Sequence, residues 1–120
     1  MLKKFIFSVL AVCSVLFAGS DVIQLPSTFP SHWIQVSSDQ FVIGTSLNNF
    51  NIRFMNPDGS ATHNGRNLYA DINVSNPAFN HMLATALAAQ ARGKIICTMA
   101  LKPNCTDIVC YDLISIDIVY

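Results

Sequence analysis

The chain of 120 residues contains no glutamate and is only 12% charged, with seven aspartates against seven lysines and arginines. So weak a charge offers little attraction to phosphate backbones, and general nucleic-acid binding is not expected. The aspartates are also scattered singly along the chain, so no carboxylate pair for cleaving a glycosidic bond can be nominated.

Motifs for metal binding and for nucleophilic catalysis are missing as well. The cysteines form no Cys-x-x-Cys pair, and the three histidines, His32, His63 and His81, form no paired ligand motif. None of these histidines lies near a serine or cysteine in a recognised nucleophile motif. We therefore expect no metal, no cofactor and no enzymatic activity.

The N-terminal segment is typical of a secretory signal peptide. Two lysines precede an apolar run from Phe5 to Phe17, which is shorter than the roughly 20 apolar residues of a membrane-spanning helix. Ala18 and Ser20 fit the small-x-small pattern before a cleavage point. We expect residues 1–20 to be removed and residues 21–120 to act as one exported domain, secreted or periplasmic, without a membrane span.

Cysteine usage fits an exported protein with one disulfide. A lipid anchor at Cys13 is disfavoured because the branched Val12 precedes it, so signal-peptide cleavage removes this cysteine. The remaining Cys97, Cys105 and Cys110 allow at most one intramolecular bridge. Cys105 and Cys110 flank a short loop and are expected to pair, whereas Cys97 lies on an apolar strand face, where a buried thiol acts as a small hydrophobe.

The mature chain of about 100 residues is long enough for one domain and too short for two. It keeps five lysines and arginines against seven aspartates, a net charge of −2. A weakly charged surface of this kind suits a subunit that buries much of itself against neighbours.

One helix is predicted, from Asn76 to Gly93. Ser75 or Asn76 can cap its first turn, Pro77 suits the first helical position, and Gly93 can adopt the left-handed conformation that ends a helix. The apolar positions recur at helical spacing, so one face is expected to lie on a sheet. This stripe consists of Phe79, Met82, Leu83, Ala86, Leu87 and Gln90.

Outside the helix the apolar residues alternate with a period of two, which is typical of strands. Trp33–Val36 and Phe41–Thr45 are predicted to be extended segments, and the further predicted strands are Phe50–Met55, Leu68–Val74, Ile95–Leu101 and Leu113–Tyr120. The order of about three strands, one helix and two strands predicts a mainly β protein with one α-helix, arranged as an OB-fold-like five-stranded barrel. The alternative is a split α+β sheet covered by one helix.

The second half of the chain resembles the OB-fold B subunits of bacterial A-B toxins. The resemblance rests on a helix followed by Gly93, Lys94, Ile95 and Ile96, and on the isoleucine-rich final strand Ser115–Val119. It implies a non-catalytic, glycan-binding homo-oligomer, such as a pentameric ring, with the helix lining a pore, strand edges paired between neighbours and a separate A subunit carrying the enzyme. The alternative is a small periplasmic protein-interaction or envelope-associated domain without sugar binding.

Sugar binding requires flat aromatic surface together with polar side chains, because a saccharide presents both C–H faces and hydroxyls. Trp33 could stack on a sugar, although a single tryptophan next to Ile34 also fits a core or interface position. The loop from Asp58 to Asn67 offers hydrogen-bonding groups, or is only a solvated connection. Its candidate ligand-binding residues are Ser60, Thr62, His63, Asn64, Arg66 and Asn67.

A modification motif is also present. Asp71, Asn73 and Ser75 form Asp-x-Asn-x-Ser, which resembles the extended acceptor of some bacterial N-glycosylation systems. The same residues could equally be the end of a strand followed by a helix cap. Asn73 is therefore a candidate glycosylation site.

Overall fold

A computed structural model describes residues 20–56, 58, 67–103, 105 and 110–119, which form one seven-stranded sheet and one helix. The strands are β1 (Asp21–Ile23), β2 (Trp33–Ser38), β3 (Phe41–Thr45), β4 (Asn49–Phe54), β5 (Tyr69–Asn73), β6 (Lys94–Leu101) and β7 (Cys110–Val119). The helix α1 is Phe79–Arg92 and lies between β5 and β6 in the chain. Residues 1–19, most of the predicted signal peptide, lie outside the described residues.

The sheet closes on itself. Its strand order is β1-β2-β6-β7-β5-β4-β3, with every pair antiparallel except β5 and β7. In a flat sheet β2 and β3 would lie five strand spacings apart, about 24 Å. Only Asp39 and Gln40 separate them in the chain, and three Cα–Cα steps span at most about 11 Å. The sheet must therefore curl into a barrel, with β2 and β3 as two halves of one bent strand.

Hydrogen bonds hold the bend between β2 and β3 against the end of β4. The Ser38 hydroxyl donates to the Gln40 carbonyl at 2.8 Å and accepts the Gln40 N–H at 3.0 Å. The Met55 N–H donates to the same carbonyl at 2.9 Å. The fully buried Ser38 thus fixes the point where the barrel closes.

This architecture confirms the prediction of a mainly β, OB-fold-like barrel with one helix. The bent β2–β3 strand, then β4, β5, α1, β6 and β7 follow the predicted order, and the third and fifth barrel strands pair in parallel. The alternative, a split α+β sheet, would not make β2 and β3 two halves of one bent strand. The short strand β1 was not predicted; it extends the sheet by pairing with β2 from Asp21 to Ile23.

The core fills the barrel and the space beneath α1. Phe50, Ile52 and Phe54 of β4 are fully buried and belong to the same core cluster as Ile95 and Met99 of β6. The ring of Phe79 packs edge-on against Phe50 with 5.3 Å between ring centroids, which attaches the start of the helix to the barrel.

The ends of the helix differ from those predicted. Asn76 lies in a turn before the helix, where its Oδ1 accepts the Ala78 N–H at 2.9 Å, and α1 begins at Phe79. Gly93 is extended, with φ near −175°, and is not left-handed. Because β6 starts at Lys94, the chain is already extended at Gly93, whose N–H still closes the helix on the Ala89 carbonyl at 2.9 Å.

The buried stripe of α1 agrees with the prediction at Phe79, Met82, Leu83 and Ala86 and differs at its other two positions. Ala86 and Ala89 are fully buried, whereas Leu87 is 50% exposed and Gln90 is exposed. Phe79, Met82 and Leu83 pack against the core beside these two alanines, so the face with the larger side chains lies on the barrel. The outward face carries Ala84, Leu87, Ala88 and Ala91.

Replacing Ser38 should weaken closure of the barrel. In the mature chain we expect Ser38→Ala to lower the free energy of unfolding in urea by about 1 kcal/mol, because the Gln40 backbone loses two hydrogen bonds to the hydroxyl. The control is Ser37→Ala on the same strand, which should stay within about 0.5 kcal/mol of wild type. Equal effects of the two substitutions would contradict this role of Ser38.

Candidate functional site

A row of residues paired across neighbouring strands runs around the outside of the barrel. Each residue of the row lies next to residues that pack in or against the core, so it faces outward. Asp112, for example, lies between the buried Tyr111 and Leu113. In strand order the row is Trp33, Ala100, Asp112, Asp71, Asn51 and Gly44. Its composition is aromatic at one end and polar in the middle.

Two consecutive turns build the aromatic end of this row. The Phe29 N–H donates to the Pro26 carbonyl and the Trp33 N–H to the Pro30 carbonyl, both at 3.0 Å. Each proline has a fixed φ, which favours such turns. The turns bring the ring of Phe29 to 5.9 Å from that of Trp33 at a tilt of 55°.

His32 completes the aromatic cluster, defined here as Phe29, His32 and Trp33. The Trp33 indole N–H donates to His32 Nε2 at 3.1 Å, and the two rings meet edge-on. The His32 carbonyl accepts the Leu101 N–H at 3.0 Å, which anchors the cluster at the end of β6. Phe29 and His32 are exposed and Trp33 is partly exposed, so the cluster presents aromatic surface to solvent.

The middle of the row is acidic. Asp112 is exposed, and Asp71 accepts a hydrogen bond from the Lys102 ammonium at 2.6 Å in a partly exposed ion pair. Trp33 and Asp112 are two strand spacings apart, about 10 Å. Between them Ala100 contributes only a methyl group. An aromatic surface and a carboxylate therefore face solvent across a small residue.

Among the ligand-binding residues predicted from sequence, the structure places Trp33 in this cluster. Asn67 lies at the end of the β4–β5 connection, with a buried Oδ1 that has no hydrogen-bond partner among the described residues. The loop hypothesis stays a prediction, because five of its residues lie outside the described residues: Ser60, Thr62, His63, Asn64 and Arg66.

Sequence reasoning missed three members of the site: Phe29, His32 and Asp112. The repeated spacing of Pro26 to Phe29 and Pro30 to Trp33 is the signal for the two turns. Alternation along the last strand places Asp112 outside, but its position beside Trp33 follows only from strand pairing.

The predicted disulfide between Cys105 and Cys110 is confirmed. The Lys102 carbonyl accepts the Cys105 N–H at 3.2 Å, so the bridge also supports the segment that carries the Lys102–Asp71 ion pair. Cys97 is a buried free thiol facing the core. Burial, and then the negative charge of Asp117, raise the pKa of this thiol, which keeps it neutral and unsuited to nucleophilic attack.

The candidate modification site Asn73 ends β5 and is exposed. Its Oδ1 accepts the Ser75 N–H at 2.9 Å, and Asp71 of the same motif is paired with Lys102. In the folded chain the motif is thus engaged in local contacts. Glycosylation at Asn73 stays a prediction.

Two further surface features are present. An open groove of about 620 Å³ lies where α1 meets β6, and it is lined by Asp39, Gln90, Ala91, Arg92, Gly93, Lys94 and Val119. At the end of β5, the Val74 N–H donates to the Asn48 carbonyl at 2.7 Å, next to Leu47 in the chain. Leu47 is 93% exposed and Val74 is 52% exposed, so two apolar side chains face solvent there.

Comparison with protein families, curated proteins and solved structures finds nothing that matches this chain. Within the described ranges, no three histidine, cysteine or acidic side chains are grouped in a way that could hold a metal ion. Across the same residues, no helix combines the length and apolar character needed to span a membrane.

The cysteines allow a direct chemical test. We expect the mature, non-reduced protein to show no reactive thiol when folded and one per chain when denatured, because Cys97 is buried and the other two cysteines are bridged. Reduction should lower the free energy of unfolding by about 2 kcal/mol, since the bridge closes a short loop. Thiol titration and urea unfolding measure these effects, and three reactive thiols in the denatured, non-reduced chain would contradict the bridge.

Proposed function

We propose that this chain is an exported, non-enzymatic binding protein that recognises cell-surface glycans as an oligomeric ring, in the manner of the toxin B subunits that it resembles. The observation that carries the proposal is the solvent-facing cluster of Phe29, His32 and Trp33 beside a polar outer row. Aromatic faces stack on the C–H groups of a sugar, and neighbouring polar groups bind its hydroxyls.

The ring is supported by the outward face of α1. Ala84, Leu87, Ala88 and Ala91 form an exposed apolar stripe opposite the face that packs on the barrel. Small residues allow helices to approach closely, and a half-exposed leucine gains by being covered. We propose that copies of α1 pack together around the central axis, and that β1 and β3, the two ends of the sheet, pair with neighbouring copies.

Several features support a role without catalysis. His32 accepts a hydrogen bond from Trp33, while His81 is exposed on α1. The Cys97 thiol is buried and held neutral. In the proposed assembly, a separate A subunit would supply any enzymatic activity. Export through a signal peptide fits the disulfide, because such bonds persist in oxidising compartments.

The alternative function is protein binding without sugar affinity, as a periplasmic or envelope-associated domain. The exposed pair of Leu47 and Val74 favours this alternative, because exposed apolar surface often marks a protein contact. This pair is distinct from the aromatic cluster, so the two functions can be separated by mutation.

Oligomeric state tests the ring. We expect the mature chain from Asp21 to elute as a pentamer in size-exclusion chromatography with light scattering under non-reducing conditions. Leu87→Asp should reduce the mass to that of the monomer, because it places a charge in the apolar stripe. The matched control, Leu47→Asp, puts the same charge on a more exposed leucine and should keep the wild-type mass. A monomeric wild-type chain would contradict the ring.

Glycan-array binding tests the ligand. We expect Trp33→Ala to abolish binding and Phe29→Ala to weaken it about tenfold, which corresponds to the loss of one aromatic contact. Leu47→Asp should bind like wild type. Sugar binding that survives Trp33→Ala would contradict the site, whereas loss of a protein partner with Leu47→Asp, in the absence of any bound sugar, would support the alternative function.

A further inference from the structure

We infer that the saccharide bound at the aromatic cluster carries no negative charge, and that the Asp112 carboxylate both binds its hydroxyl groups and rejects anionic sugars. This inference rests on the proposed function and specifies its ligand. It depends on the register that places Asp112 on the same outer row as Trp33, with Ala100 between them.

The Asp112 carboxylate lies on the same outer row of the barrel as Trp33. Asp112 is exposed and lies two strand spacings, about 10 Å, from Trp33. Ala100 lies between the two residues, and its small side chain leaves the outer surface of the sheet open there. A mono- or disaccharide stacked on the aromatic cluster can reach across this alanine to the carboxylate. Hydrogen bonds from sugar hydroxyls to an ionised carboxylate are charge-assisted and therefore stronger than neutral ones.

Asp112 also belongs to a like-charge pair across two strands. Asp71 and Asp112 are direct partners in the parallel pairing of β5 and β7, and like charges in that position destabilise a sheet. Lys102 neutralises Asp71 through its ion pair, whereas Asp112 has no ion pair within the described part of the chain. A local conflict of this kind is expected where a side chain serves binding.

The charge of the site determines which sugars it can accept. Asp71, Asp112 and Lys102 together carry a net charge of −1, and the one lysine is already engaged by Asp71. A sialylated or sulfated sugar would bring its negative charge toward Asp112 without a free cation among these groups to receive it. Hydroxyl groups of a neutral sugar encounter no such repulsion and can donate to the carboxylate.

The experiment compares neutral oligosaccharides with sialylated, sulfated and amino-sugar derivatives of the same cores. The mature chain, in its native oligomeric state, is applied to these glycans at low salt. We expect neutral glycans to bind at least tenfold more tightly than their anionic counterparts, with the difference shrinking as salt screens the repulsion. Amino-sugar derivatives should bind at least as tightly as the neutral glycans, because their ammonium groups are attracted to the exposed carboxylate. Preferred binding of an anionic sugar would overturn the inference.

Substitutions assign the selectivity to one residue. Asp112→Asn keeps the side-chain shape and should reduce neutral-sugar affinity about tenfold while narrowing the discrimination against anionic sugars. The control, Asp117→Asn, removes the same charge from an exposed position on the same strand and should leave both properties unchanged. Circular dichroism and light scattering verify that both variants fold and assemble as wild type.

The outcomes separate this inference from the function on which it depends. Absence of binding to every glycan class would overturn the glycan-binding proposal itself. Binding that is lost in Trp33→Ala but is unaffected by Asp112→Asn would leave glycan recognition in place and overturn only the role of Asp112.

Discussion

Closure of the barrel at Ser38 is the constraint on which the rest of the structure depends. The hydroxyl holds the Gln40 backbone, and Gln40 in turn receives the Met55 N–H from the end of β4. This bend lets one chain segment form both β2 and β3, so the sheet acquires a defined interior and exterior. Each side chain on a strand then points either to the core or to solvent, because strand residues alternate between the two faces.

The outer row is a consequence of that assignment. Once Tyr111 and Leu113 are inside, Asp112 must be outside, and pairing through β6 sets it two strands from Trp33. The cross-strand pair of Asp71 and Asp112 is unfavourable for the sheet, and Lys102 relieves it only on the Asp71 side. The barrel thus keeps an exposed carboxylate on the same outer row as the aromatic cluster.

The sequence predicted features that depend on local periodicity and missed those that depend on tertiary pairing. Alternation identified the main strands, and the short separation of Cys105 and Cys110 identified their bridge. The ends of α1 were wrong because Asn76 can order a preceding turn as readily as a helix cap, and Gly93 must be extended to enter β6. The site was only partly predictable: Trp33 is the single tryptophan and Phe29 and His32 are close to it in the chain, but the position of Asp112 near it depends on strand pairing.

The length of β6 separates the two surfaces that the proposed function requires. The strand begins beside the end of α1 and ends at Ala100 and Leu101, next to the aromatic cluster, which makes a distance of about 20 Å from Lys94 to Ala100. Packing of α1 against other copies would therefore leave the cluster uncovered. A shallow site of a few aromatic rings and one carboxylate would bind a sugar weakly, but the proposed ring would present several such sites together. Simultaneous attachment to a surface that displays many glycans would then raise the overall affinity far above that of one site.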